Sequence, residues 1–200
     1  RINEDYKMKF VMQNWRLFLI ESRFKGFEKA LKNKVFPHLP DLVFNDMYGH
    51  EGVKDYAVDR TDDINKIGLE KFFKTDEYAK EIYDRYDLTW TKNPVVLDLK
   101  WEDLSAEERK FLMDKHLGLN PNFPMDQYQQ KIQRIIKTLP GLGKGEHEPV
   151  ILKMEGDKVV DILGGRHRVF AAFLKGSNID QGGEIIFNPT KIKAYVGRNR

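Results

Sequence analysis

The chain has 200 residues, enough for one large domain or two small ones. Forty per cent of them are hydrophobic, and 13 Phe, 8 Tyr and 3 Trp supply the bulk of a real core. With no cysteine there is no disulfide and no thiol chemistry, and no apolar run approaches the roughly 18 residues of a membrane span.

A cysteine-free chain fits a reducing compartment, so a cytoplasmic location is expected, and the lack of a long apolar run leads to the expectation of no membrane partner. His38, His50, His116, His147 and His167 are scattered without paired spacing, which disfavours zinc. The net charge of +3 is uneven: residues 1–40 carry +5, residues 41–108 carry −9 and residues 109–200 carry +7. A basic C-terminal half suits an anionic ligand. The acidic middle argues against the whole chain wrapping a nucleic acid.

Arg1 to Lys7 is polar and is set aside from fold reasoning. From Phe10, large apolar residues recur at three- and four-residue steps through Val11, Trp15, Phe18 and Leu19, and Phe24, Phe27 and Leu31 continue similar spacing. That spacing predicts helix. Its basic remainder suits either ordinary packing or an amphipathic helix for a membrane surface or a partner protein docked on the N-terminal helices. Packing is favoured, because these aromatics are too large to leave in water. Pro37 and Pro40 end the unit. Residues 41–68 are acidic and weakly periodic; Asp59, Asp62 and Asp63 lack the spacing of a calcium loop, and a helix cap near Thr61 or Asp62 is the preferred role. A helix is expected across Glu70 to Arg85, whose tyrosines would either cover the sheet of the second half or stack bases.

Pro94 to Leu99 reads as a strand entering the second half. Ser105 and Glu108 stand at capping-box spacing before a helix that runs to about His116. A further helix is expected near 126–139, broken by Pro140 to Gly145, a glycine-rich stretch that does not fit a P-loop. Strands at 149–154 and 158–163 form a hairpin around Glu155-Gly156-Asp157, and Lys191 to Val196 alternates as a last strand. The expected class is α+β: a helical region at 1–90, then a small mixed sheet with helices at 91–200.

Within the second region, Gly164-Gly165-Arg166-His167-Arg168 follows a strand and opens a helix. Glycines let the backbone turn with positive φ and approach a ligand closely. The helix start offers N–H groups and partial positive charge, and three cationic side chains stand beside it. These features describe an anion site, most naturally for phosphate. A plain strand–helix turn with solvated arginines fits the same residues.

Two stretches resemble the ParB/sulfiredoxin superfamily: Glu148-Pro149-Val150-Ile151-Leu152, and Gly164 to Arg168 followed by Ala171-Ala172. The likeness covers residues from about 93 to 198. It implies nucleotide phosphates bound by Gly164, Gly165, Arg166, His167 and Arg168, with Glu148 nearby. It also implies ATP or another nucleotide as cofactor. Arg166 stands where sulfiredoxins carry cysteine, so their reductase chemistry is not expected. The kinase-like members imply phosphotransfer with Mg²⁺. His167 and Arg168 would then be catalytic, Glu102 or Asp103 would serve as base or metal ligands, and Glu148 is a further carboxylate for the metal. Two alternatives stay open: a ParB-like DNA-binding protein or nuclease, and a noncatalytic interaction protein. Met8 to Arg16 also resembles openings common among tailed-phage proteins, which implies a host cytoplasm as the setting.

Overall fold

The computed structural model describes residues 26–50, 52–117, 148–175, 177–180 and 184–200. The helical pattern before Gly26, the helix expected near 126–139 and the Pro140–Gly145 break lie outside them. The chain divides into two compact units, one up to Asp87 and one from Leu88.

In the first unit, α1 (26–34) is followed by α2 (Asp41–His50), whose opening hydrogen bond runs from the Phe44 N–H to the Pro40 carbonyl at 2.9 Å. Pro40 therefore sits where its missing N–H is not needed. Three short helices succeed it: α3 (Val53–Asp59), α4 (Thr61–Ile67) and α5 (Leu69–Thr75). Gly68 separates the last two at φ +87°, a conformation cheap only for glycine. The weakly periodic stretch is thus helical after all, in pieces too short to show an amphipathic period.

The helix expected across Glu70 to Arg85 is two helices. Asp76 breaks it in an extended conformation (φ −73°, ψ 132°) and caps α6 (Glu77–Tyr86) by accepting from the Ala79 N–H at 3.1 Å. The same carboxylate accepts the Tyr56 hydroxyl at 2.8 Å. A side chain able to replace a helical hydrogen bond has here outcompeted the continuing helix. The expected cap at Thr61 or Asp62 is not made. Arg60 holds the cap position of α4 with no side-chain hydrogen bond, and the Thr61 hydroxyl donates back to the Ala57 carbonyl. The tyrosines pack within their own unit, Tyr78 on Tyr56 at 4.5 Å between centroids and Tyr83 on Phe36 at 5.7 Å.

The second unit contains β1 (Thr89–Trp90), β2 (Val95–Leu99), a 3₁₀ turn at Trp101–Asp103 and α7 (Ala106–Leu117). It continues with β3 (Val150–Glu155), β4 (Lys158–Gly164), α8 (Arg166–Leu174), a small hairpin of β5 (Asn178–Ile179) and β6 (Ile185–Ile186), and β7 (Thr190–Arg198). The class is α+β, a helical region followed by a mixed sheet. β7 is central. Along one edge it pairs antiparallel with β2 and β1; along the other it runs parallel to β3, which pairs antiparallel with β4. Its period-two pattern explains the sidedness: Ile192, Ala194 and Val196 are buried, while Lys191 and Lys193 are exposed. Against the buried face, α8 lays Val169, Phe170, Phe173 and Leu174, each contributing about 2 kcal/mol. No helix among the described residues is long and apolar enough to cross a membrane.

Two packing details generate predictions. Gly197 lies under the register partner Trp90, and a Cβ there would stand 2.7 Å from Leu88 Cδ1 and 2.9 Å from Trp90 Cη2. Gly197→Ala is expected to cost about 1–3 kcal/mol, read as a lower urea midpoint at unchanged slope; an unchanged midpoint would contradict this packing. In the first unit, Tyr48 stacks on Phe44, and among the described residues its buried hydroxyl has no hydrogen-bond partner. Burial, then Glu28 and Asp55, push its pKa up to about 12. The unfolded value is about 10. The contribution of this group to stability is therefore intact below pH 10 and lost as pH rises towards 12. Tyr48→Phe should be at least as stable as the parent at pH 8, and its advantage should grow between pH 10 and 12. A destabilised Tyr48→Phe protein at pH 8 would refute the account.

Candidate functional site

β4 ends at Gly164 and α8 begins at Arg166. Gly165 between them is left-handed (φ 85°, ψ 28°) and serves as the N-cap, with no side-chain hydrogen bond capping the helix. A Cβ at Gly165 would stand 2.9 Å from Arg168 Nη2 and 2.9 Å from Val150 Cγ1. The close approach that requires glycine here is made by the chain's own arginine, whose guanidinium folds back over the turn.

The two arginines of the turn differ in their surroundings. Arg166 donates from Nη2 to Glu108 at 2.9 Å and to Asp161 at 3.1 Å, and from Nε to Glu108 at 3.3 Å. Its guanidinium carbon lies 4.7 Å from the centroid of the Phe111 ring, a cation–π contact. Glu108 is only 7 % exposed, and it also accepts the Ile162 N–H at 3.2 Å. Arg168 donates from Nη1 to the Glu148 carbonyl at 3.0 Å and to its carboxylate at 3.1 Å. The Glu148 side chain is 75 % exposed. One arginine is therefore built into the frame and the other is held at the rim. His167 is exposed on the first turn of α8.

The structure brings Gly164, Gly165, Arg166, His167, Arg168 and Glu148 together, as the sequence reading grouped them. It does not bring Glu102 and Asp103 to them. Those two lie in the 3₁₀ turn, where Asp103 accepts the Lys100 N–H at 2.7 Å and the Glu102 carbonyl accepts Lys158 Nζ at 2.7 Å. Leu104 bridges to Val159, five residues before Gly164, so about 17 Å of strand separates that turn from the glycines. The family resemblance alone implies a shared site for these two. The path of β4 carries the two groups to opposite ends of one strand.

Glu108 was legible only as the partner of Ser105 in a capping box. Half of that box forms: the Glu108 N–H donates to Ser105 Oγ at 3.1 Å. The Glu108 carboxylate turns instead to Arg166 and Ile162. The available signal was its spacing, since Glu108 stands four residues before the buried Leu112 and shares its helix face. Carboxylates near the turn are already engaged, Glu108 and Asp161 by Arg166 and Glu148 by Arg168. Among the described residues no three His, Asp or Glu side chains form a metal-holding group. Mg²⁺ held by protein carboxylates here would compete with those ion pairs. Comparison with family models, with curated proteins and with solved structures finds no match.

Removing the Glu108 carboxylate takes its acceptor from the Ile162 N–H and its buried ion pair from Arg166, which keeps Asp161 and the Phe111 ring beside it. Breaking a buried pair costs about 3–5 kcal/mol; Arg166 is partly exposed and keeps its contacts with Asp161 and Phe111, so Glu108→Ala should cost about 2–4 kcal/mol. Asp161→Asn, at a more exposed position, should cost under about 1 kcal/mol. Equal losses in urea denaturation would show that the buried carboxylate is not the anchor.

Proposed function

We propose that the second unit binds the phosphates of a nucleotide, ATP or a related triphosphate, at the Gly164–Arg168 turn. The observation that carries this reading is the Arg168 guanidinium folded over a left-handed glycine at a helix N-terminus. Such a terminus presents backbone N–H groups and partial positive charge, and arginine adds a planar donor matched to phosphate oxygens. His167, on the same turn, would donate to a phosphate oxygen. Arg166 would shape the site through Glu108 rather than touch the ligand.

The likeness to the ParB/sulfiredoxin superfamily supports the same assignment and makes kinase-like phosphotransfer the reaction to test. In such a reaction the protein mostly positions groups and stabilises charge. Arg168 and His167 would neutralise the phosphates, and bound Mg²⁺ would share that task. The place of Glu102 and Asp103 at the far end of β4 speaks against either acting as base or metal ligand in this site. Glu148 is the carboxylate nearest Arg168. A second reading, salt-dependent DNA binding, is favoured by the +7 balance of residues 109–200 and by exposed Lys191 and Lys193 on β7.

A thermal-shift panel of ATP, ADP, CTP and GTP, each with and without Mg²⁺, tests the first reading. A ligand at 100 times its dissociation constant should stabilise the protein by about 2.7 kcal/mol. Arg168→Ala should weaken that ligand at least tenfold while leaving the unliganded melting temperature within a few degrees. Full affinity in Arg168→Ala would displace the site from the turn. Gel shifts at two salt concentrations separate the DNA reading, which requires retardation that fades as salt rises.

A further inference from the structure

We propose that the Glu148 carboxylate is a displaceable internal anion, occupying Arg168 until a ligand phosphate takes its place. This rests on the nucleotide reading above and concerns how that same site is regulated. Arg168 Nη1 has two acceptors on one residue, the Glu148 carbonyl at 3.0 Å and the carboxylate at 3.1 Å. The carbonyl is fixed by the backbone leading into β3. The carboxylate is on a side chain 75 % exposed, against 29 % for Arg168. The cation is thus held in position by the main chain, and its counter-ion stands in water at the mouth of the turn.

This asymmetry gives the pair its behaviour. An exposed ion pair is weak, because solvent screens it and two side chains must be ordered to make it. Releasing the carboxylate leaves the bond to the carbonyl, so Arg168 stays aimed over Gly165 while Glu148 swings away. A phosphate offers more charge and more acceptor oxygens than one carboxylate and can take over the guanidinium. Singly charged anions gain less from the exchange, so Glu148 also sets a threshold on ligand charge. Arg166 shows the contrast within one turn: its partner Glu108 is 7 % exposed and bound to the Ile162 N–H, so no solvent anion replaces it.

Calorimetry on the full chain with ATP, once in EDTA and once in Mg²⁺, tests the idea using the parent, Glu148→Gln and Arg168→Ala. Glu148→Gln keeps the carbonyl acceptor and removes the competing charge. It should bind metal-free ATP about two- to fivefold more tightly than the parent, the range expected for losing one exposed competing pair. Arg168→Ala should lose at least tenfold. Metal-free affinity unchanged or weakened in Glu148→Gln, with the parent still binding, would overturn the displaceable anion and leave the nucleotide reading standing. Weakening confined to Mg²⁺ would also overturn it, making Glu148 a metal ligand. If the parent and both variants bind no ATP, the nucleotide reading fails and this inference with it.

Discussion

The second unit turns on one buried carboxylate. Glu108 accepts from the Ile162 backbone and from two nitrogens of Arg166, so a strand edge and the start of a helix meet at a single charge on α7. A buried charge is tolerable only when it is paired and its lone pairs are satisfied. Here three donors satisfy it, and each belongs to a segment that must be placed for the glycine turn to exist. The Ser105 N–H adds a bond to the Val159 carbonyl at 2.8 Å. Together these contacts give the outer edge of β4 partners at Val159 and Ile162, where an exposed edge would otherwise be open to pairing with another chain.

That anchoring divides the labour of the turn. Arg166 is fixed by Glu108, Asp161 and the Phe111 ring, so its charge is largely spent within the fold. Arg168 is tethered by a backbone carbonyl and an exposed carboxylate, the asymmetry on which the proposed exchange rests. A turn that reads as three equivalent basic residues in sequence is one structural cation, one exposed imidazole and one cation available to an anion. The basic composition of residues 109–200 does not by itself distinguish these roles.

Much of the second unit's fold was legible because its strands announce themselves by alternation and by turn residues. β2 and β4 each differ by one residue from where the sequence places them, and a helix opens at the Gly164–Arg168 turn as expected. The short helices of the first unit were not legible, since seven residues complete fewer than two periods of an amphipathic pattern. Asp76 illustrates a second limit: an aspartate within a helical pattern either continues the helix or caps a new one, and tertiary packing decides. The grouping of Glu148 with Gly164–Arg168 was visible from a family likeness. The exclusion of Glu102 and Asp103 was not, because it depends on which end of β4 they reach. Glu108 was visible only as a cap, since capping and ion pairing use the same residue at the same spacing.

In the proposed site Arg168 meets the ligand and Arg166 does not. Titration of the ¹⁵N-labelled protein with metal-free ATP, following backbone amides and arginine Nε–H signals, tests it directly. Shifts are expected at the amides of Gly165 to Arg168 and at Arg168 Nε, with Arg166 Nε nearly still. Movement of Arg166 Nε with Arg168 unchanged, or shifts confined to Lys191 and Lys193 on β7, would contradict it.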